Sequence, residues 1–245
     1  LHERALILMF RDHDYLTKTT SVGQFNEKII KPSLDSLVDL KIETAYFSLK
    51  EFSRLFKGLK NIYLNDGKIK LVIGLNNRID RSLLESMASE ELDEVLISSF
   101  DKKFFTELEI EEDEVIKNRI ALFAFLKIKN ILEIKIGSMK NKVGSYHPKN
   151  YILKDSNGDV VSSTGSTNDT ANGMRYSYES DAISLSWAGN RDSQRVQETI
   201  KDFEKVWNGL DSEVNIQELD KDLAENILEK LDIENSDEGF NQVIQ

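Results

Sequence analysis

Four chemically active side chains lie close together in the sequence, between residues 144 and 179. His147 and Lys149 stand in "GSYHPKNY", Asn168 in "STGSTND" and Glu179 in "YSYESD". Side chains two residues apart share one face of a β-strand, so the imidazole of His147 and the ammonium of Lys149 are predicted to point the same way.

A hairpin is expected to complete this cluster. In "KDSNGDV", Asn157-Gly158 lies between two apolar runs and has the composition of a tight β-turn. The return strand, "VVSSTG", then carries Ser166 and Asn168 back to about the level of His147. The sequence therefore predicts one site containing an imidazole, an ammonium, a carboxamide and hydroxyl groups.

The order of these residues resembles the phospholipase D superfamily, whose signature is HxKxxxxD followed by GSxxN or GSxN. The matching residues are the HxK pair, the GSxN loop and the acid before the next strand: His147, Lys149, Gly165, Ser166, Asn168 and Glu179. The motif-bearing match spans about residues 144 to 209. The resemblance implies a mixed β-sheet flanked by helices and hydrolysis of phosphodiesters without a cofactor or a metal.

The resemblance also implies a role for each group. His147 attacks phosphorus and forms a covalent phosphohistidine, which divides one difficult hydrolysis into two displacements. The GSxN loop, residues 165–168, and Lys149 bind the phosphate and neutralise its charge. Glu179 holds the other ring nitrogen of His147 and so fixes its tautomer.

Residues beside the motif give weaker signals. Arg175 is a candidate for substrate binding, although a surface arginine without a role is the commoner finding. Tyr146, Tyr151, Tyr176 and Tyr178 interleave with the motif, and such tyrosines either stack on bases or pack within strands.

One position departs from the signature. The aspartate expected five residues after Lys149 is Lys154 in this chain, and Asp155 comes one place late. Metal-independent restriction endonucleases of the superfamily are similar in lacking this acid, so the departure favours a nuclease over a lipase. A decayed site is the alternative.

A second imidazole is needed to protonate the leaving oxygen and to activate water. Family members take it from a second HxK, but here His2 is followed two residues later by Arg4, and His13 by Tyr15. We therefore expect a homodimer in which the two copies of His147 meet at the two-fold axis. A separate partner chain, or a segment of a longer protein, is the alternative source.

The composition is globular and acidic. The chain has 245 residues, a net charge of −11, no cysteine and no apolar run of membrane-spanning length. These features fit a cytoplasmic protein and argue against a uniformly cationic nucleic-acid binder. Residues 127–154, however, carry seven lysines against Glu133, so they predict either a local surface for a polyanion or a solvated lysine-rich face.

Apolar periodicity predicts an α/β domain. Strands are expected at 41–49, 68–75, 131–137 and 178–187, and helices at 21–40 with a kink at Pro32, 50–59, 78–89, 113–130, 191–209 and 216–231. We assign residues 1–210 to the phospholipase D-like domain. Residues 211–245 are assigned to an acidic C-terminal helix and tail that leads to a further domain in a longer protein.

The resemblance to the metal-independent restriction endonucleases of the superfamily predicts an endonuclease that cleaves DNA without a metal. The start at Leu1 rather than Met fits the cleavage module of a larger restriction or defence enzyme, with recognition or translocation carried by other domains or subunits. One alternative is a phospholipase or transphosphatidylase, although the sequence shows no basic, strongly apolar interfacial helix. The other is an inactive domain used for dimerisation or nucleic-acid binding.

Overall fold

The computed structural model describes residues 8–74, 113–141, 144–219 and 222–244, which form a mixed sheet with helices on both faces. The strands are β1 (Lys18–Thr19), β2 (Leu37–Thr44), β3 (Ile69–Gly74), β4 (Leu132–Met139), β5 (Lys149–Asp155), β6 (Val160–Gly165), β7 (Asp181–Leu185) and β8 (Val214–Glu218). The α-helices of the described ranges are α1 (Lys31–Ser33), α2 (Leu49–Phe52), α3 (Phe56–Leu64), α4 (Glu114–Ile128), α5 (Asn190–Trp207), α6 (Asp222–Lys230) and α7 (Asp237–Ile244). Shorter helical turns cover Phe10–Asp12, Asn26–Ile30, Ser53–Leu55 and Asn172–Tyr176.

The sheet has a parallel and an antiparallel half. Its order is β1-β7-β6-β5-β2-β3-β4-β8. Strands β2, β3 and β4 are parallel, as the β-α-β pattern predicted, whereas β5, β6 and β7 form an antiparallel meander. The two halves meet where β2 runs antiparallel to β5. The predicted mixed α/β sheet flanked by helices is confirmed.

Alternating side chains divide the interior into two layers. On β5, Tyr151 and Leu153 face the larger core, which contains α3, α4, α6 and α7, whereas Ile152 faces α5. The predicted amphipathic helix α4 is instead buried on nearly all sides from Ile120 to Lys127. It packs against α2 and α3 as well as α6 and α7, so it lies inside the fold.

Two predicted elements are shorter than the sequence indicated. The helix expected at 21–40 ends at Ser33, because Leu37 and Leu40 belong to β2, a central strand of the sheet, and both are buried in the larger core. The helix expected at 216–231 begins only at Asp222, because the residues before it pair with β4 as strand β8. The helix expected at 78–89 lies outside the described residues. Among the described residues, no helix combines the length and the apolar character that a membrane span requires.

The C-terminal segment belongs to the same packed body. Strand β8 forms an edge of the sheet. From α7, the ring of Phe240 packs against Tyr63 and Phe125, with centroid distances of 4.8 and 5.4 Å. The proposed boundary at residue 210 therefore falls between α5 and an edge strand of this sheet.

Candidate active site

The candidate site lies where the parallel and antiparallel halves of the sheet meet. The carboxyl end of β2 adjoins the amino end of β5, and Thr44 pairs with Lys149 in register. The GSxN loop packs against the residues that follow β2: the backbone N–H of Tyr46 donates to Asn168 Oδ1 at 3.1 Å, and that of Asp169 donates to Thr44 Oγ1 at 3.1 Å. Ligand sites of α/β sheets commonly lie outside the carboxyl ends of parallel strands, which is where β2 ends here.

His147 and Lys149 touch each other. Lys149 Nζ lies 2.5 Å from His147 Nδ1 and 3.1 Å from the backbone oxygen of His147. The lysine is 8% exposed, whereas the histidine is exposed. Lys149 Nζ also lies 3.3 Å from Nε2, so Nδ1 is the nearer of the two ring nitrogens that can accept from the ammonium.

The electrostatics of this pair favour a neutral imidazole. Desolvation, and then the charge of Lys149, lower the pKa of His147 below its ordinary value of 6.5. Desolvation also lowers the pKa of Lys149, and the negative charge of Glu179 acts in the opposite direction. Glu179 thus has its electrostatic effect on the lysine of the pair in this structure.

Asp181 and Gly165 shape the GSxN loop. The buried carboxylate of Asp181 accepts bonds from Thr167 N at 3.1 Å, from Thr167 Oγ1 at 2.6 Å and from Thr19 Oγ1 at 3.0 Å. A Cβ on Gly165 would come within 2.3 Å of Asp181 Oδ1, so only glycine permits this approach. Ser166 Oγ accepts from Ser180 N at 2.9 Å. Gly165 therefore has a clear steric function, and Asp181, which the motif did not reveal, organises the loop.

Arg175 is held by a carboxylate. Its Nη2 lies 2.9 Å from Glu51 Oε2, and Glu51, at 4% exposure, also binds Arg54 Nε at 3.2 Å. The guanidinium lies over the ring of Tyr176, 5.0 Å from its centroid.

The acid after the HxK motif has a structural place. Asp155 is fully buried and accepts bonds from the backbone N–H groups of Phe10, Asn157 and Asp159. It closes the β5–β6 hairpin, which is confirmed, with Gly158 at φ +84° in the left-handed region. Because Asp155 lies six residues along β5 from Lys149, about 20 Å separates them. Asp155 therefore acts at the hairpin and does not reach His147 or Lys149.

The lysines of the basic segment are mostly engaged within the protein. Five of the six that the structure describes bind acidic side chains or backbone oxygens outside the segment: Lys127 (Leu219 O), Lys129 (Asp237), Lys135 (Glu218), Lys140 (Asp211 O) and Lys154 (Asp39). The sixth, Lys149, belongs to the site. The segment is thus largely a set of internal links between the sheet and the C-terminal region.

The four tyrosines of the motif divide into two groups. Tyr146 and Tyr151 are buried, whereas Tyr176 and Tyr178 are 65% and 69% exposed. Tyr46, which the sequence did not single out, lies edge-on to the imidazole of His147 with ring centroids 5.6 Å apart. Its position directly after a parallel strand is the signal that could have identified it.

Within the described ranges, no three His, Cys, Asp or Glu side chains are placed so that they could hold a metal ion.

No family model and no curated protein matches the sequence. Among solved structures, the chain is similar to NucT from Helicobacter pylori, with 13% identity and a TM-score of 0.43 over 78% of this chain and 95% of that one. It is also similar to phosphatidylserine synthase from Haemophilus influenzae (13% identity, TM-score 0.44, 88% and 44%) and to yeast tyrosyl-DNA phosphodiesterase (14%, 0.39, 69% and 32%). The chain spans less than half the length of the last two proteins. These are distant likenesses.

Proposed function

We propose that this chain is a metal-independent phosphodiesterase of the phospholipase D type that cleaves DNA through a covalent phosphohistidine. The observation that carries the proposal is the contact between Lys149 and His147. The imidazole of His147 is exposed, and its pKa is lowered by partial desolvation and by the charge of Lys149. A neutral imidazole is a nucleophile at neutral pH, and an adjacent ammonium neutralises the anionic phosphate that it must approach. Asn168 adds an amide that can donate to a phosphate oxygen.

The reaction begins with a rearrangement of this pair. A phosphate oxygen is a stronger acceptor for the ammonium of Lys149 than a neutral ring nitrogen, so substrate draws the lysine away from His147. One imidazole nitrogen then forms a bond to phosphorus as the bond to the leaving oxygen breaks. Glu179 accepts a hydrogen bond from the N–H of the opposite ring nitrogen and so fixes the tautomer of His147. Water later attacks phosphorus and breaks the phosphorus–nitrogen bond.

A homodimer supplies the second imidazole. The leaving oxygen needs a proton, and the water needs a base. The exposure of His147 allows the same residue of a second copy to approach the phosphate from the opposite side. Substrate binding remains the proposed role of three residues, Gly165, Ser166 and Arg175. The guanidinium of Arg175 would then contact both the substrate and Glu51.

The charge distribution supports a cleavage module of a larger restriction or defence enzyme. The chain has a net charge of −11, and in the described part of the basic segment five of six lysines are already paired within the protein, so that part offers little unpaired positive charge to duplex DNA. Nucleic-acid affinity depends mainly on such surface. Other domains or subunits would deliver the DNA, and the protein would act in the cytoplasm. A lipid phosphodiesterase and an inactive binding domain remain the competing proposals.

Cleavage of plasmid DNA in excess EDTA tests the proposal. We expect nicking by the wild type and by His13→Ala, but none by His147→Ala. His13 is a suitable control because its backbone joins the Phe10 turn, which contacts Asp155 at the far end of β5. Denaturing gels with a 5′- or 3′-labelled DNA should also trap an acid-labile phosphoenzyme in the wild type. Activity that EDTA abolishes would refute the mechanism.

A mixed dimer tests the composite site. Two differently tagged subunits, one wild type and one His147→Ala, can be purified together as a heterodimer. If each reaction uses both imidazoles, the heterodimer will lose nearly all activity. If each subunit acts alone, it will keep about half of the wild-type rate.

A further inference from the structure

The HxK motif is held on both sides by one buried carboxylate. Tyr146 precedes His147, and Asn150 follows Lys149. The hydroxyl of Tyr146 donates to Glu43 Oε1, and Asn150 Nδ2 donates to Glu43 Oε2 at 2.7 Å. Each carboxylate oxygen thus anchors one flank of the motif.

These anchors lie on the α5 side of the sheet. Asn150 follows Lys149 on β5 and therefore points to the opposite face. Tyr146 packs in the same layer as Val72, Val196 and Phe203. The two flanking residues thus point into one layer, whereas Lys149 and the catalytic candidate His147 meet on the other side.

Two paired glycines make room for Tyr146. A Cβ on Gly137 would come within 2.6 Å of the Tyr146 ring, and a Cβ on Gly74 within 2.4 Å of its backbone oxygen. Gly74 and Gly137 are direct neighbours in the β3–β4 register. The seat of Tyr146 therefore constrains both its ring and its backbone, and the backbone leads directly to His147.

Glu43 is costly to bury, which argues against a merely space-filling role. It is 3% exposed, and its two hydrogen bonds come from uncharged donors. Burial is the main cause that raises its pKa, and Asp202 raises it further. A buried carboxylate supported in this way is expensive, yet its two oxygens let one side chain accept from both flanks of the motif.

We propose that Glu43 is a positioning residue of the active site, clamping Tyr146 and Asn150 so that His147 and Lys149 are held in contact and aimed at the substrate. This inference rests on the proposed function for its kinetic consequence. In this role Glu43 aligns the attacking nitrogen of His147. Its loss should therefore slow the chemical step and leave substrate binding unchanged.

The test compares variants that break the clamp with variants that preserve it. Glu43→Leu removes both acceptors, and Tyr146→Phe removes one donor. Glu43→Gln keeps an oxygen for Tyr146, and its amide can pair with Asn150 once the Asn150 amide rotates by half a turn. The matched control is Tyr15→Phe, which removes another buried tyrosine hydroxyl that bonds to Ser33 at 2.9 Å, away from the site.

We expect Glu43→Leu and Tyr146→Phe to lower kcat by up to about a hundredfold with KM little changed, because small misplacements of reacting groups have effects of this size. Glu43→Gln should restore most of the rate, and Tyr15→Phe should keep it. If Glu43→Leu does not fold, Tyr146→Phe decides the question. The proposal would be overturned if Glu43→Leu and Tyr146→Phe kept the wild-type kcat and lost only thermal stability, as Tyr15→Phe is expected to do.

A second measurement separates this inference from the proposed function. The imidazole of His147 can be titrated by NMR in the full chain without any substrate. Desolvation and, second, the charge of Lys149 lower its pKa, so loosening the clamp in Tyr146→Phe should weaken both effects and move that pKa towards the ordinary value. If the wild type cleaves nothing but this shift occurs, the positioning inference stands and the nuclease proposal fails. If the titration is unchanged, the positioning inference is refuted.

Discussion

Replacing Gly165 by alanine should damage the GSxN loop far more than its exposed position suggests. The added Cβ would lie 2.3 Å from Asp181 Oδ1, 2.5 Å from Asp181 Cα and 2.5 Å from Ser180 O. Two of these three atoms belong to the backbone of Ser180 and Asp181, at the start of β7, and cannot rotate away. Either β7 separates from β6, or the carboxylate of Asp181 gives up its bonds to Thr167.

The cost can be worked from these contacts. Overpacking of this kind costs about 1–3 kcal/mol, and the loss of one hydrogen bond to a charged group adds roughly 1.5–3 kcal/mol. The sum is about 2.5–6 kcal/mol, which for a chain of this size lowers Tm by at least roughly 5 °C. Because Thr167 precedes Asn168, the same shift misplaces the amide that the proposed mechanism uses, so cleavage should fall by about a hundredfold or more.

Gly158→Ala is the matched control. This glycine belongs to the same hairpin, has φ +84°, and has no atom within 4 Å of an added Cβ. Its replacement costs only the left-handed strain of about 1–2 kcal/mol. Thermal denaturation and DNA cleavage of both variants give the comparison. If Gly165→Ala is as stable and as active as Gly158→Ala, the close approach of Gly165 to Ser180 and Asp181 does not hold the loop.

Further expectations concern single ionisable groups. Lys149→Met should raise the pKa of His147 in an NMR titration, because the lysine charge lowers it. Asp155→Ala should destabilise the chain to denaturant by several kcal/mol, since three backbone N–H groups lose a charged acceptor, yet the folded variant should keep its cleavage rate. Glu43 has a raised pKa in the folded state. Between pH 4.5, its ordinary pKa, and its pKa in the folded state, the folded protein therefore binds more protons than the unfolded one. Its contribution to stability is therefore present at low pH and lost as pH rises through the folded pKa, and denaturant unfolding of Glu43→Gln should show a weaker loss over that range.

Local patterns in the sequence determined much of the architecture. The two-residue spacing of His147 and Lys149 predicted that their side chains point the same way, and the two side chains are in contact. The Asn157-Gly158 turn and the parallel β2–β3–β4 unit were likewise predictable from turn chemistry and from alternating strand and helix signals. Each of these features depends on contacts within a few residues or on one repeated pattern.

The remaining features depend on which strands become neighbours, and only the tertiary structure decided that. Glu43 meets Tyr146 and Asn150 because β2 lies beside β5, although about a hundred residues separate them in the chain. The lysines that looked like a cationic surface find their partners in β8 and α7, for example Lys135 with Glu218. A periodic pattern predicts which face of a helix or strand is buried, but it does not predict the order of the strands in the sheet. The partner of a charged group is therefore settled by packing across the whole sheet.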